Sequence, residues 1–280
     1  MCVEIIERGG NIILEGVRSL SLPLTLDCGQ AFRWQQGEDG LWRGVVRGQM
    51  VTAGQEGERI TLYATDREVF ERIWRPYFDL DRDYGAILAR LCEDEVLARA
   101  IRQNSGIRIL RQETWEALCS FIISQNNNIP RIKGIIERLC EYFGEEAAPG
   151  VFSFPRPERL AGLEVEQLAP LRAGFRARYI VDAARKVSDG SVRLDALEEM
   201  PIEAARAELM QITGVGVKVA DCTLLYGVGK LEICPMDVWM KRVIAAFYPE
   251  GFPPCAAGYE GIAQQYLFHY ARTSGVLNVG

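Results

Sequence analysis

Residues Glu208–Tyr226 read ELMQITGVGVKVADCTLLY. A run of helix formers ends near Gln211, Thr213-Gly214-Val215-Gly216 makes a short turn, and helical periodicity resumes at about Val217. Two glycines so placed free the backbone to take up positive φ and to approach a ligand closely. The amides at the start of the second helix would then face outward as anion donors. The spacing predicts a helix-hairpin-helix over about 203–226, a device that holds a nucleic-acid phosphate without reading base sequence. A bare Gly-x-Gly between helices is also ordinary helix packing, so the glycines alone leave both readings open.

Lys218 stands in the first turn of the second helix, where the helix dipole disfavours a cation. That placement favours some free amine near neutral pH, and a free amine can attack electrophilic carbon to form a Schiff base. The alternative is a lysine that adds charge to a phosphate grip. Cys222 follows four residues later on the same face, as a thiolate partner or as a buried neutral thiol. Asp237, in Cys234-Pro235-Met236-Asp237-Val238-Trp239-Met240, reads as the N-cap of a helix from Val238. A carboxylate there could also steady a cationic transition state, and the two roles are compatible.

Outward from the hairpin, the chain divides by period. Up to about residue 65, the runs Leu22–Leu26, Ala31–Gln35, Trp42–Arg47 and Ile60–Ala64 read as strands, separated by turns at Gly37–Gly40 and Gly54–Gly57. Beyond residue 66 the period is helical. Thr114–Ser124 is apolar nearly all round and therefore buried, and Ile129–Phe143 is amphipathic with Asn128 as its N-cap. Further helices are expected at Arg176–Ser188, Pro201–Gln211, Lys218–Tyr226, Val238–Ala246 and Tyr259–Arg272. The fold class is α+β: an N-terminal antiparallel sheet domain (1–100, with helices after the strands) and a mostly helical body (101–280) that contains the hairpin.

Of 280 residues, 48% are hydrophobic and 25% charged, the composition of an ordinary globular protein. No apolar run approaches the roughly 20 residues that cross a bilayer, and Glu4 and Glu7 break any signal peptide, so a cytoplasmic protein is expected. The eight cysteines are scattered and His269 is the single histidine, which argues against a disulfide framework and against zinc or iron–sulfur sites. Net charge is −6, yet Arg102–Arg138 and Arg172–Lys186 are locally basic, which leaves phosphate binding open.

Asn126-Asn127-Asn128 joins the two apolar helices. A C-cap followed by an N-cap explains two asparagines; a side chain that fills the gap left by a flipped base would explain the third. Phe175, Gln264 and Phe268 are candidates for stacking on or reading a base, though each also suits a core position.

Together, GQAFRW (29–34), GIRILRQETWEALCSFIISQNNNIPRI (106–132), FRARYI (175–180), TGVGVKVADC (213–222) and PMDVWM (235–240) resemble the 8-oxoguanine DNA glycosylase family. The motifs occur in family order and cover most of the chain. The resemblance implies a base-excision glycosylase/lyase with Lys218 as nucleophile and Asp237 as catalytic carboxylate. It implies that the Gly29 carbonyl accepts the N7 hydrogen peculiar to 8-oxoguanine, and that Gln264 and Pro235 belong to base recognition. Phe268 and Cys222 would sandwich the rings. Asn126 would plug the vacated stack, Arg131 and Arg176 would contact the opposite cytosine, and Phe175 would act as a wedge. Gly214 and Gly216 would hold phosphate.

Two positions depart from the family's eukaryotic pattern: Phe175 replaces a tyrosine, and Trp239 replaces a histidine that touches phosphate. The implied partner is double-stranded DNA bearing 8-oxoguanine opposite cytosine, met by a monomer, with no membrane. No cofactor or metal is implied beyond a structural monovalent or divalent cation at the hairpin backbone. Rival readings are a non-catalytic helix-hairpin-helix DNA-binding protein and a monofunctional glycosylase for alkylated bases. A small-molecule Schiff-base lyase ranks last.

Overall fold

The computed structural model describes residues 3–274. Six strands, β1 (Glu4–Arg8), β2 (Asn11–Glu15), β3 (Trp34–Gln36), β4 (Trp42–Val46), β5 (Gln49–Glu56) and β6 (Arg59–Tyr63), form an antiparallel sheet in the order β1-β2-β6-β5-β4-β3, and helices dominate from Arg67 onward. The chain comprises two compact units, one of residues 3–30, 53–111 and 230–274, the other of 31–52 and 112–229.

In the first unit, β1 (Glu4–Arg8) and β2 (Asn11–Glu15) form a hairpin through Gly9 and Gly10, both at positive φ. That geometry suits the twist of a two-residue turn. β2 pairs with β6 (Arg59–Tyr63) so that Ile12 lies opposite Leu62 and Leu14 opposite Ile60, all four buried. The alternation of the two strands thus places one face in the core. Its longer helices are Tyr84–Leu91, Glu95–Gln103, Val238–Phe247 and Glu260–Ser274.

Leu22–Leu26, expected as a strand, is a short helix. The alternating leucines suggested a half-buried strand. The Ser21 hydroxyl, however, accepts from the Leu24 amide, and Pro23 occupies the first turn, where a missing N–H costs nothing. Of Ala31–Gln35 only Trp34 and Gln35 join the sheet, as part of β3 (Trp34–Gln36) against β4 (Trp42–Val46). The expected Gly54–Gly57 turn is also displaced. β5 (Gln49–Glu56) continues through it, and the Gln55 side chain bridges the Leu22 amide at 2.7 Å and the Leu20 carbonyl at 2.8 Å.

The second unit is built round helix Thr114–Ser124, whose residues Ala117–Ile123 are all buried, as its apolar composition required. Around it pack helices Ile129–Phe143, Arg176–Ser188 and Val217–Thr223. The hairpin's first helix is Ile202–Met210, with Pro201 as N-cap. Its second runs Val217–Thr223 and widens into a π turn over Leu224–Val228. Among the described residues, no helix is long and apolar enough to cross a membrane.

Beneath this unit's strands, the Arg33 guanidinium lies 3.4 Å from the Glu116 carboxylate, both side chains nearly buried. Burial raises the Glu116 carboxyl from its ordinary 4.5 to about 7, with Arg33 opposing the shift. A carboxyl harder to ionise folded than unfolded holds its proton more tightly in the native state. Its contribution to stability is therefore complete below pH 4.5 and is lost as pH rises through about 7. Chemical denaturation of wild type between pH 5 and pH 8 should show this decline, and Glu116→Gln should flatten it; an unchanged slope in the variant would exclude Glu116 as the source.

Candidate nucleic-acid interface and active site

The hairpin turn is fastened to helix Arg176–Ser188 by two side chains on consecutive turns. Asp182 accepts from the Thr213 amide at 2.7 Å, and the Lys186 ammonium donates to the Gln211 carbonyl at 2.6 Å. Asp182 and Lys186 also pair at 3.0 Å. Burial opposes ionisation of Asp182, but the Thr213 amide and Lys186 outweigh it and hold the carboxyl below its usual range. Within the hairpin, the Arg206 guanidinium meets the buried Asp221 carboxylate at 2.6 Å and so ties the first helix to the second.

The two glycines serve different ends. Gly214 has φ +81°, and a Cβ there would lie 2.4 Å from the Tyr179 ring, so both conformation and space require glycine. Gly216, also expected to need positive φ, is extended at φ −103° with open space around it. Its value lies in the missing side chain, which leaves the first amides of the next helix uncovered. Gly214, Gly216 and Val217 are exposed, as a backbone grip on phosphate requires.

Lys218 is half-buried in the first turn of helix Val217–Thr223. Its Nζ lies 5.3 Å from the centre of the Phe121 ring and donates to the Ser124 hydroxyl at 3.4 Å. Ser124 gives its own hydrogen to the Phe121 carbonyl at 2.8 Å, which leaves oxygen lone pairs for the amine. Phe121 is fixed by stacking on Tyr226 and by an edge contact with Phe32. The amine is thus aimed by the buried helix rather than left to sweep through solvent. Cys222, four residues on, is buried.

The asparagine run resolves as its caps suggested. Asn127 donates to the Ile123 carbonyl at 3.0 Å and closes one helix; Asn128 accepts from the Arg131 amide at 3.1 Å and opens the next. Asn126 has neither duty. It is exposed and left-handed, φ +46°. Its carbonyl and that of Gln125 are gripped by the buried Arg176 guanidinium, which also donates to the Ala173 carbonyl and lies 4.4 Å over the Phe175 ring. Burial, then the neighbouring Arg131 charge, lowers the Arg176 pKa. Arg131 and Phe175 are at the surface, the latter 45% exposed. The second unit therefore brings together Lys218, Gly214, Gly216, Asn126, Arg131, Phe175 and Arg176.

The first unit carries the rest. Asp237 caps helix Val238–Phe247, accepting from the Met240 amide through Oδ1 at 2.7 Å. Pro235 is buried before it, and Trp239 after it is 39% exposed with the Arg242 guanidinium over its ring. Gln264 and Phe268 lie one turn apart on helix Glu260–Ser274, Gln264 buried and Phe268 half-buried with Arg272 over its ring. Gly29 is half-buried at φ +90°, in the loop that follows helix Leu22–Leu26.

Sequence reasoning passed over Phe121, Ser124, Asp182 and Lys186. Phe121 and Ser124 lie inside the apolar helix Thr114–Ser124, where they read as core, and Asp182 and Lys186 inside the basic stretch, where they read as solvated charge.

Residues 12–118 match the family described as 8-oxoguanine DNA glycosylase, N-terminal domain. Residues 119–251 match that described as HhH-GPD superfamily base excision DNA repair protein. The chain is 32% identical to the N-glycosylase/DNA lyase of Saccharomyces cerevisiae over 82% of its own length and 68% of the relative's. Among solved structures it resembles MBOgg1 in complex with a low-affinity DNA ligand (TM-score 0.92, 43% identity, 98% of this chain and 100% of that one). It equally resembles the Clostridium acetobutylicum 8-oxoguanine glycosylase/lyase bound to double-stranded DNA with cytosine opposite the lesion (TM-score 0.91, 34% identity, the same coverage).

Gly214→Ala should impose left-handed strain of about 1–2 kcal/mol besides the collision with Tyr179. Thermal denaturation and duplex binding should both weaken, whereas Gly216→Ala should leave the melting temperature unchanged. Equal stability of the two variants would contradict the roles given to the glycines.

Proposed function

The chain belongs to the 8-oxoguanine DNA glycosylase family, and from that premise we propose that Lys218 and Asp237 carry the chemistry of a bifunctional glycosylase/lyase. It acts on duplex DNA containing 8-oxoguanine, in base-excision repair. The observation that carries the residue assignment is the Lys218 amine, half-buried at the mouth of the hairpin and aimed by Phe121 and Ser124.

A damaged nucleotide must leave the stack before an enzyme can reach its anomeric carbon, at a cost of a few kcal/mol. Exposed Phe175 and Asn126 suit the wedge and the plug that offset this cost, and the hairpin amides suit the flanking phosphate. Lys218 Nζ then attacks C1′. The bond from C1′ to the base breaks, its electron pair leaves with the base, and the base takes up a proton. Asp237, with one carboxylate oxygen engaged in the helix cap, supplies negative charge for the cationic sugar. Opening of the sugar ring gives a Schiff base that acts as electron sink. Loss of a C2′ proton then expels the 3′ phosphate by cleavage of the C3′–O bond.

Gly29, Gln264, Pro235, Phe268 and Cys222 would read and hold the base; Arg131 and Arg176 would face the opposite cytosine. Arg176 spends its donors on the Gln125, Asn126 and Ala173 carbonyls, so it would act there chiefly by fixing the Asn126 loop. The Clostridium acetobutylicum complex, with cytosine opposite the lesion, supports that choice of partner base. This chemistry needs no cofactor, and a cation at the hairpin carbonyls would serve structure alone. A monomer acting in the cytoplasm, on nucleoid DNA, is the simplest setting.

Borohydride should trap wild type covalently on an 8-oxoguanine duplex and on neither a uracil nor a 3-methyladenine duplex. Lys218→Gln should abolish trapping while duplex binding persists, and Asp237→Asn should slow excision by at least roughly 100-fold. Equal trapping by wild type and Lys218→Gln would remove Lys218 from the mechanism.

A further inference from the structure

Gly29 lies between two residues with no exposure at all, Cys28 and Gln30, while itself remaining half-open. A glycine at positive φ has little steric reason to keep its carbonyl in one direction. Here the residues on either side are anchored by buried amide side chains. On one side, the Cys28 carbonyl accepts from Gln265 Nε2 at 3.2 Å, and Gln265 is only 2% exposed. On the other, Gln30 Nε2 donates to the Thr25 carbonyl at 2.9 Å and the Arg108 carbonyl at 2.7 Å, while Gln30 Oε1 accepts from the Leu110 amide at 2.9 Å. Thr25 closes the network: its hydroxyl donates to the Gly106 carbonyl at 3.0 Å and accepts from the Arg108 amide at 3.2 Å.

The two clamps differ in what they join. Gln30 ties the loop to the neighbouring segment 106–110, a scaffold function. Gln265 ties it to helix Glu260–Ser274, the helix that presents Gln264 and Phe268. One side chain therefore sets the register between the Gly29 carbonyl and the two side chains placed to meet the same base.

Taking the Gly29 carbonyl as the acceptor for the lesion's N7–H, we propose that Gln265 is a positioning residue that sets lesion discrimination. The N7 edge is a donor in 8-oxoguanine and a lone-pair acceptor in guanine. A carbonyl held at that edge gains a hydrogen bond from the first and is repelled by the second, and the contrast fades as the carbonyl turns away. Gln265 touches neither base nor sugar; it acts through the Cys28–Gly29 peptide.

The test compares excision of 8-oxoguanine with excision of an analogue whose N7–H is replaced by carbon, in wild type, Gln265→Leu and Gln265→Glu. Cleavage of a preformed abasic site, which offers no base to read, is measured alongside. Wild type should prefer 8-oxoguanine over the analogue; if it does not, the Gly29 reading itself fails. Given that preference, Gln265→Leu should reduce it roughly tenfold, mainly through kcat on 8-oxoguanine, with abasic-site cleavage within about twofold of wild type. Gln265→Glu, nearly the same shape, should lose preference likewise once its carboxyl ionises and should recover it at lower pH, where a carboxylic acid can donate to the Cys28 carbonyl. An undiminished preference in both variants overturns the proposal. So does parallel loss of excision and abasic-site cleavage in both, because Gln265 would then serve the fold alone.

Discussion

The second unit depends on one buried helix, Thr114–Ser124, presenting a ring and a hydroxyl at the end of its last turns. Phe121 and Ser124 meet the Lys218 amine. The chain then leaves the helix directly into the loop whose carbonyls bind Arg176 and which exposes Asn126. A displacement of this helix would move amine and loop together. Burial of every residue from Ala117 to Ile123 is what makes such displacement costly, since any shift opens voids or returns apolar surface to water.

The two units use backbone in opposite ways. The hairpin keeps its turn uncovered, so that amides remain available to a partner, and secures it from behind with Asp182 and Lys186. In the Gly29 loop the glycine is half-buried between fully buried Cys28 and Gln30, and buried Gln265 holds the Cys28 carbonyl. Phosphate recognition tolerates variation in a general electrostatic contact, whereas reading one hydrogen on a purine edge demands a fixed acceptor. On the proposed roles, the difference in enclosure follows from that difference in task.

Much of the helical body was legible because its signals are local. The apolar run Thr114–Ser124 and the Asn128 cap form where periodicity and capping chemistry put them. The sheet was harder. Leu22–Leu26 alternates like a strand, yet a cap and a proline, both visible in the sequence, outweigh alternation over so short a segment. β1 and β2 fell within the stretch read as strands but were not singled out, because EII and NIIL show no clean alternation and pairing across Gly9-Gly10 creates their buried face. Lys218, Gly214 and Asp237 were singled out through motif position. Gln265 could not be, since its partner lies 237 residues away in sequence and adjacent Gln264 carries the more obvious signal.

On the proposed mechanism the amine aimed by Phe121 and Ser124 is the one that bonds to the sugar, and the chain offers few competitors. Its lysines are Lys133, Lys186, Lys218, Lys230 and Lys241. Digestion of the borohydride-reduced complex followed by mass spectrometry of the nucleotide-bearing peptide identifies the attachment site directly. The adduct should map to Lys218 alone; attachment at another lysine or at the N-terminal amine would contradict the account.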